Sequence, residues 1–388
     1  MLKRVIAVAA VVVLLSGCNS VKDLFGTSKD DGKPTDPAEL IEFTPSANVA
    51  KLWSANVGKG EGRLGLNQGP AVADGRVYAA AVEGGVRALD LQSGSAVWQY
   101  KSDLRISGGP GAGDGLVVVG SLDGHVIALD AGTGAERWQA RVPNEVITAP
   151  VIGQGLVLVR SNDGRVTAFD AANGERRWFS DQDLPSLTVR GNAPVTLGPG
   201  VLFVNNDDGT ISAMSLNDGR PVWNQIVGMA DGRTELERMA DADGAAVLDG
   251  TTIFTTSYKK ETLAIDGPSG RPIWTRDNGG AGGLGLAPGS VLVSDPAGTV
   301  WALDKFSGAP LWSNPGLARR SLTAPTVQGD FAVVGDFDGY LHWLRLDNGE
   351  QAARQRVGGD ALRAKPVEAD GILIVQSVGG NLSAFRLQ

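Results

Sequence analysis

A single spacing constrains this chain more than anything else in it. An aspartate, a glycine four residues later and a tryptophan eight residues later recur at Asp90, Gly94, Trp98 and at Asp130, Gly134, Trp138. They return at Asp170, Gly174, Trp178, at Asp266, Gly270, Trp274 and at Asp304, Gly308, Trp312. Ser215, Gly219 and Trp223 keep the frame with serine in first place. Arg345 and Gly349 keep it with Ala353 where the tryptophan belongs, and a last copy runs from Gly380 to Arg386. First-position residues 90, 130, 170, 215, 266, 304, 345 and 386 are separated by 40, 40, 45, 51, 38, 41 and 41 residues. Periods near forty made of short apolar runs belong to arrays in which each unit is one supersecondary element.

The unit resolves into four strands. A Pro-marked strand opens it, as at Ala149-Pro150-Val151, Ala193-Pro194-Val195 and Ala324-Pro325-Thr326. A Val-rich run follows, such as Leu156 to Val159, and an Asp-Gly turn (Asp123-Gly124, Asp163-Gly164, Asp208-Gly209, Asp338-Gly339) leads into the Ala-Leu-Asp strand. Asp-Gly between apolar runs is a strong hairpin signal. The tryptophan strand completes the unit. Four-stranded units repeated around an axis are propeller blades. The last unit has no tryptophan strand, while Lys51, Leu52 and Trp53 precede the first Pro-marked strand, Gly69 to Val72, with no unit of their own. The Trp53 strand is therefore expected to complete the final blade, closing the ring and leaving no open seam. The expectation is an all-β, eight-bladed β-propeller over residues 46–388, with four antiparallel strands per blade. The seven repeated tryptophans are expected to anchor blade to blade, and the repeated aspartates to cap turns.

The chain opens differently. Lys3 and Arg4 precede an apolar run from Val5 to Leu15, too short to span a bilayer, which is the pattern of an export signal over residues 1–17. Leu15-Ser16-Gly17-Cys18 resembles the bacterial lipobox, and Cys18 is the single cysteine. That resemblance implies lipidation of Cys18, and several acyl chains on one residue anchor stably. Asn19 stands where an aspartate commonly retains such lipoproteins at the inner membrane, so the outer membrane is expected, with the body facing the periplasm. Residues 18–45 read as a flexible tether, polar and punctuated by Pro34 and Pro37, with an r.m.s. span of roughly 30 Å.

Other chemistry has little to stand on. A net charge of −8 without a basic stripe argues against nucleic-acid binding. His125 and His342 both fall at strand positions with no second ligand in view, so no metal site is expected. Gly280 to Gly285 matches GxGxxG, but it is read as a loop with neither a strand before it nor a helix after it, not as a dinucleotide site. No catalytic triad can be assembled, and no cofactor is expected. Regularity breaks at the two long intervals, where extra residues follow Trp178 and Trp223. The first insertion exposes Leu187 and Val189 beside Arg190; the second carries Asp231, Glu235, Glu237, Asp241 and Asp243. Both fall between the outer strand of one blade and the inner strand of the next, hence side by side on one face. An apolar pair beside an arginine, flanked by carboxylates, has the composition of a protein-docking patch.

The AxDxxxGxxxW repeat resembles the propellers of pyrroloquinoline-quinone enzymes. With a lipobox, a tether and eight short blades, the chain resembles the BamB family, lipoproteins of the machinery that assembles β-barrels in the bacterial outer membrane. The resemblance implies a non-enzymatic scaffold whose partner is the periplasmic part of the barrel-inserting subunit, with nascent outer-membrane proteins as further partners. Pro185 to Gly191 is similar to the family's docking loop, which places Leu187, Val189 and Arg190 on contact positions. Met239 to Asp243 is similar to its neighbour, with Asp241 and Asp243 as the acidic contacts; Gly244-Ala245 departs from the family pattern. The alternative is a periplasmic quinoprotein-like dehydrogenase or small-molecule-binding propeller. Quinone enzymes of this fold are longer and carry adjacent cysteines and a calcium-binding carboxylate set; this sequence has no such cysteine pair.

Overall fold

The computed structural model describes residues 36–182, 185, 193–228, 244–258, 261–280 and 282–388. Met1–Pro37 and Ala38–Gln388 form separate units, and of the first only Asp36 and Pro37 are described. The second unit is eight four-stranded antiparallel sheets, each the blade of a propeller. Blades one to seven are built from consecutive strands over 71–100, 106–141, 151–180, 196–226, 247–276, 284–314 and 326–356. In the eighth, the strand Val49–Asn56 pairs antiparallel with Asn381–Leu387, outside Ile372–Gln376 and Val367–Ala369. The expected closure by the Trp53 strand is what the ring has.

Each blade buries an alternation of Val, Leu, Ile and Ala between itself and its neighbours, so the core is a series of inter-blade slabs. The tryptophans lock the slabs together. The indole N–H of Trp53, Trp98, Trp138, Trp178, Trp223, Trp274 and Trp312 donates to a carbonyl of the following blade at 2.7–3.0 Å. The acceptors are Leu91, Ala131, Ala171, Leu216, Gly267, Lys305 and Leu346. Each ring lies so close to the repeat glycine of that blade that a Cβ there would come within 2.4–2.7 Å of the indole. The same seven glycines have φ between +68° and +74°, so glycine is required twice over at the turn. The aspartates cap these turns: the Asp90, Asp130 and Asp304 carboxylates accept from the hydroxyls and N–H groups of Ser93, Thr133 and Ser307. Those hydroxyl bonds hold all three carboxyls below their ordinary range.

Blade seven breaks the rule, and the break is compensated. In six blades the outer tryptophan pairs with an alanine of the third strand, as Trp138 does with Ala128, and in the eighth Trp53 pairs with Ala384. In blade seven the pair is reversed, Trp343 opposite Ala353. An outer tryptophan there would have no turn to dock on, because the eighth blade changes from C-terminal to N-terminal chain at that point. The indole volume has moved inward: Trp343 is fully buried, bonds Gln328 Oε1 at 2.9 Å and packs edge-on against Phe385.

The outer edge of blade seven is covered by the leading chain. Residues 38–45, which the sequence places in the tether, lie along it. Ala38 N–H donates to Ala318 O and its carbonyl accepts from Arg320; Arg354 donates to Ile41 O and sits over the Phe43 ring. Ser46 and Ala47 donate to Ala352 O, and Gln388 N–H closes onto Asn48 O. Leu40 and Ala47 pack against the cores on either side. This strap runs from the face of the outer-to-inner connections to the opposite face, and occupies an edge that would otherwise expose unpaired backbone groups. Beneath it, buried Arg320 bonds Asp336, 2.7 Å away, and Asp336 bonds His342 Nε2 at 3.0 Å. Burial lowers the His342 pKa despite Asp336 beside it. Burial works to raise Asp336, but bonds from His342, the Tyr340 N–H and Arg320 outweigh it and hold the carboxyl low.

The loop read from the sequence at Gly280 to Gly285 holds for Gly280, Gly282 and Gly283 but not for Gly285. The glycine run 280–285 lies three residues beyond the strand Pro272–Arg276, and its last glycine belongs to the inner strand Leu284–Leu286. Inner strands crowd round the axis, and a Cβ at Gly285 would stand 2.4 Å from Pro325 O. Close packing, not phosphate binding, explains that glycine.

Two outcomes test this architecture. Trp138→Ala should lower the urea-unfolding free energy by about 3–5 kcal/mol. Between pH 7.5 and 5 the melting temperature should fall, because the unfolded chain binds a proton near the ordinary histidine pKa of about 6.5 that buried His342 resists. The slope should reach at most about 1.4 kcal/mol per pH unit, and His342→Gln should flatten it.

Candidate functional site

Every residue singled out for function from the sequence, Cys18, Leu187, Val189, Arg190, Asp241 and Asp243, lies outside the described residues. What is described is how the propeller holds the ends of the two inserted connections. Both join an outer strand to the next inner strand: 181–195 lies between Arg176–Ser180 and Thr196–Gly198, and 227–246 between Pro221–Ile226 and Val247–Asp249. They are adjacent and emerge on one face, as the sequence implies, together with the turns joining second to third strands.

The first connection leaves blade three beside an ion pair between Asp181 and Arg165. It rejoins blade four at Ala193, whose carbonyl accepts from Arg160 Nη1 at 3.3 Å. Arg160 Nη2 donates to Asp207 Oδ1 at 2.9 Å, and the side chains of this pair are only 2% and 5% exposed. Burial pushes the Asp207 carboxyl up, against the pull of Arg160. Such a pair must remain whole, since a lone buried charge is far costlier than the pair.

The second connection leaves through Val227 and Gly228, whose N–H groups both donate to Gly209 O at 2.9 Å. It returns at Gly244, whose carbonyl accepts from buried Asn205 Nδ2; the same amide is paired with the Thr255 hydroxyl. A Cβ at Gly244 would meet the Gly283 backbone at 2.6 Å. The close approach of the fifth and sixth blade entrances therefore requires glycine here. Thr196, at the start of blade four, donates to Ala246 O at 2.7 Å, tying the return points of the two connections together. The sequence reading passed over Arg160 and Asn205; a charge and an amide each ending an apolar strand were the available signal.

The axis offers a second place for a ligand. All eight blade entrances line a cavity of about 390 Å³ walled largely by glycine, alanine and proline. Lys365 borders it, with Nζ donating to Leu284 O at 2.8 Å. Desolvation by burial pushes its ammonium down to about 8, although the residue keeps exposed surface. Arg363, beside it, pairs at 3.5 Å with buried Glu61. Among the described residues there is no group of three or more His, Cys, Asp or Glu able to hold a metal ion.

Comparison with known proteins gives a consistent result. The model of a family described as "Outer membrane protein assembly factor BamB" matches residues 82–314. A protein of that name from Xanthomonas campestris pv. campestris is 60% identical, over 100% of this chain and 98% of its own length. The crystal structure of BamB from Moraxella catarrhalis superposes with a TM-score of 0.80 at 27% identity, covering 87% of this chain and all of that one. A europium-containing methanol dehydrogenase superposes with a TM-score of 0.69 at 15% identity, covering 87% of this chain and 93% of that one. That last likeness concerns the fold alone.

Proposed function

The chain belongs to the BamB family of outer membrane protein assembly factors, and on that footing we propose that it is a non-enzymatic scaffold of the β-barrel assembly machinery. It binds the periplasmic domains of the barrel-inserting subunit and assists the folding and insertion of outer-membrane barrels. It is held at the outer membrane by acyl chains on Cys18 and faces the periplasm, with the stretch from Cys18 to Pro37 as its flexible lead. The observation that carries this reading is the pairing of two consecutive long connections on one face, each gripped at its return by a buried side chain. A rigid ring presenting two neighbouring segments suits recognition better than turnover. Leu187, Val189 and Arg190 supply an apolar contact and a cation, and Asp241 and Asp243 supply anions that steer and orient the partner. The dehydrogenase reading draws its support from fold likeness and the axial cavity, neither of which brings reacting groups together.

Arg190→Glu and Leu187→Asp should each weaken binding to the purified periplasmic domains by about 30-fold or more, the scale of an interface hot spot, with melting temperature unchanged. Unchanged affinity in both variants removes this site. Cys18→Ala should move the protein from the membrane to the soluble periplasmic fraction; continued membrane recovery counts against the anchor.

A further inference from the structure

The eight blades share a register, and one position in it varies in a way that follows the connections. The residue four places beyond the start of each second strand, counting from the pair with the repeat's first position, is Ala80, Gly120, Arg160, Asn205, Thr256, Ser294, Gly335 and Gln376 in turn. In three blades it reaches across to the next: Arg160 to Asp207 and Ala193, Asn205 to Thr255 and Gly244, Gln376 to Ala80 O; Thr256 accepts from the Gly280 N–H in its own blade's short outgoing connection without crossing to the sixth blade. These three blades precede the three longest connections, 181–195, 227–246 and 57–70, of fifteen, twenty and fourteen residues; the other five run from five to eleven. A short connection holds neighbouring blades together by its own brevity. A long one gives more freedom to both its ends, and a cross-blade side chain takes over the fastening.

We infer that Arg160 and Asn205 are positioning residues for partner docking: each clamps the return of one inserted connection, so that the two connections leave a fixed frame instead of a mobile one. This rests on the reading of those connections as docking segments. The physical consequence is preorganisation. A segment whose ends are already ordered loses less freedom on binding, and that saving appears as affinity. Arg160 suits the task because a planar guanidinium serves a carboxylate and a carbonyl together. Asn205 does the same with an amide whose oxygen is taken by Thr255, fixing its N–H₂ toward Gly244. Gln376 is the built-in comparison, since it makes a cross-blade bond of the same register, to Ala80 O, beside a connection with no proposed docking role.

The test uses the full-length protein and the purified periplasmic domains of the barrel-inserting subunit. In the double variant Arg160→Met with Asp207→Asn neither charge is left alone in the core. It should bind about tenfold more weakly, equivalent to ~1.4 kcal/mol, and amide exchange in peptides covering 181–195 should quicken while the blades stay protected. Asn205→Leu should do the same for 227–246. Gln376→Leu should lower the melting temperature with binding unchanged. Wild-type affinity and exchange in both the double variant and Asn205→Leu overturn the inference, as does an equal loss of binding in Gln376→Leu, which would mark a general loss of stability. If Arg190→Glu also binds normally, the docking reading itself has failed; if Arg190→Glu abolishes binding and the clamp variants do not, only this inference falls.

Discussion

The structure depends on one contact made seven times: an indole laid against a glycine turn of the next blade, its N–H on a carbonyl there. A sheet of four short strands cannot bury its faces alone, and a ring of such sheets is stable only if every gap closes. The tryptophan supplies a large apolar surface and a polar handle in one side chain, and the glycine permits both the approach and the left-handed turn. The eighth gap cannot use this contact, because the chain's two ends meet there. It is closed instead by three substitutes, the inward Trp343, the closing strand at Trp53 and the strap along blade seven. The molecule is thus regular where the chain is continuous and improvised where it is not.

A ring closed in this way is stiff, and stiffness is what makes irregular connections useful. Most outer-to-inner connections are short and consumed by the packing between blades. Of the three that exceed that need, two lie side by side, and the polar side chains at their roots, Arg160 and Asn205, are drawn from strands otherwise made of Val, Leu and Phe. Placing a guanidinium and a carboxylate in a slab of aliphatic side chains brings a desolvation cost that Val and Leu would avoid. Their location at the feet of the longest loops gives that cost a purpose.

Much of this was legible in the sequence because a spacing of four and eight residues repeats whether or not tertiary context is known. The blade count, the role of Trp53 and the adjacency of the insertions all follow from it. The strap was not legible. Ala38 to Ala47 has no period, and it is held through backbone carbonyls and through Arg320 and Arg354, whose partners are hundreds of residues away. The exchange of Trp343 with Ala353 was visible only as a missing tryptophan, since cross-strand pairing is needed to show that the volume moved one strand inward. Arg160 was hidden for a related reason, as an apolar run ending in arginine looks like a core strand meeting solvent. In the glycine run before Leu286 the loop was legible, but the strand position of Gly285 was not, because crowding at the axis demands small residues as firmly as a turn does. The side chains proposed to meet the partner, Leu187 to Arg190 and Asp241 and Asp243, come from sequence likeness, and the structure adds the roots from which they spring.

The strap has a mechanical consequence. A tug on the leading chain arrives first at Ala38, on the Ala318 carbonyl and the Arg320 guanidinium, and only later at the strand that shuts the ring. Because the strap doubles back before becoming that strand, a load directed toward its entry face strips its bonds in sequence, from Ala38 to Ala47, instead of shearing the eighth blade. The strap is in this sense a fuse: several weak, re-formable links that part before the eighth blade is strained.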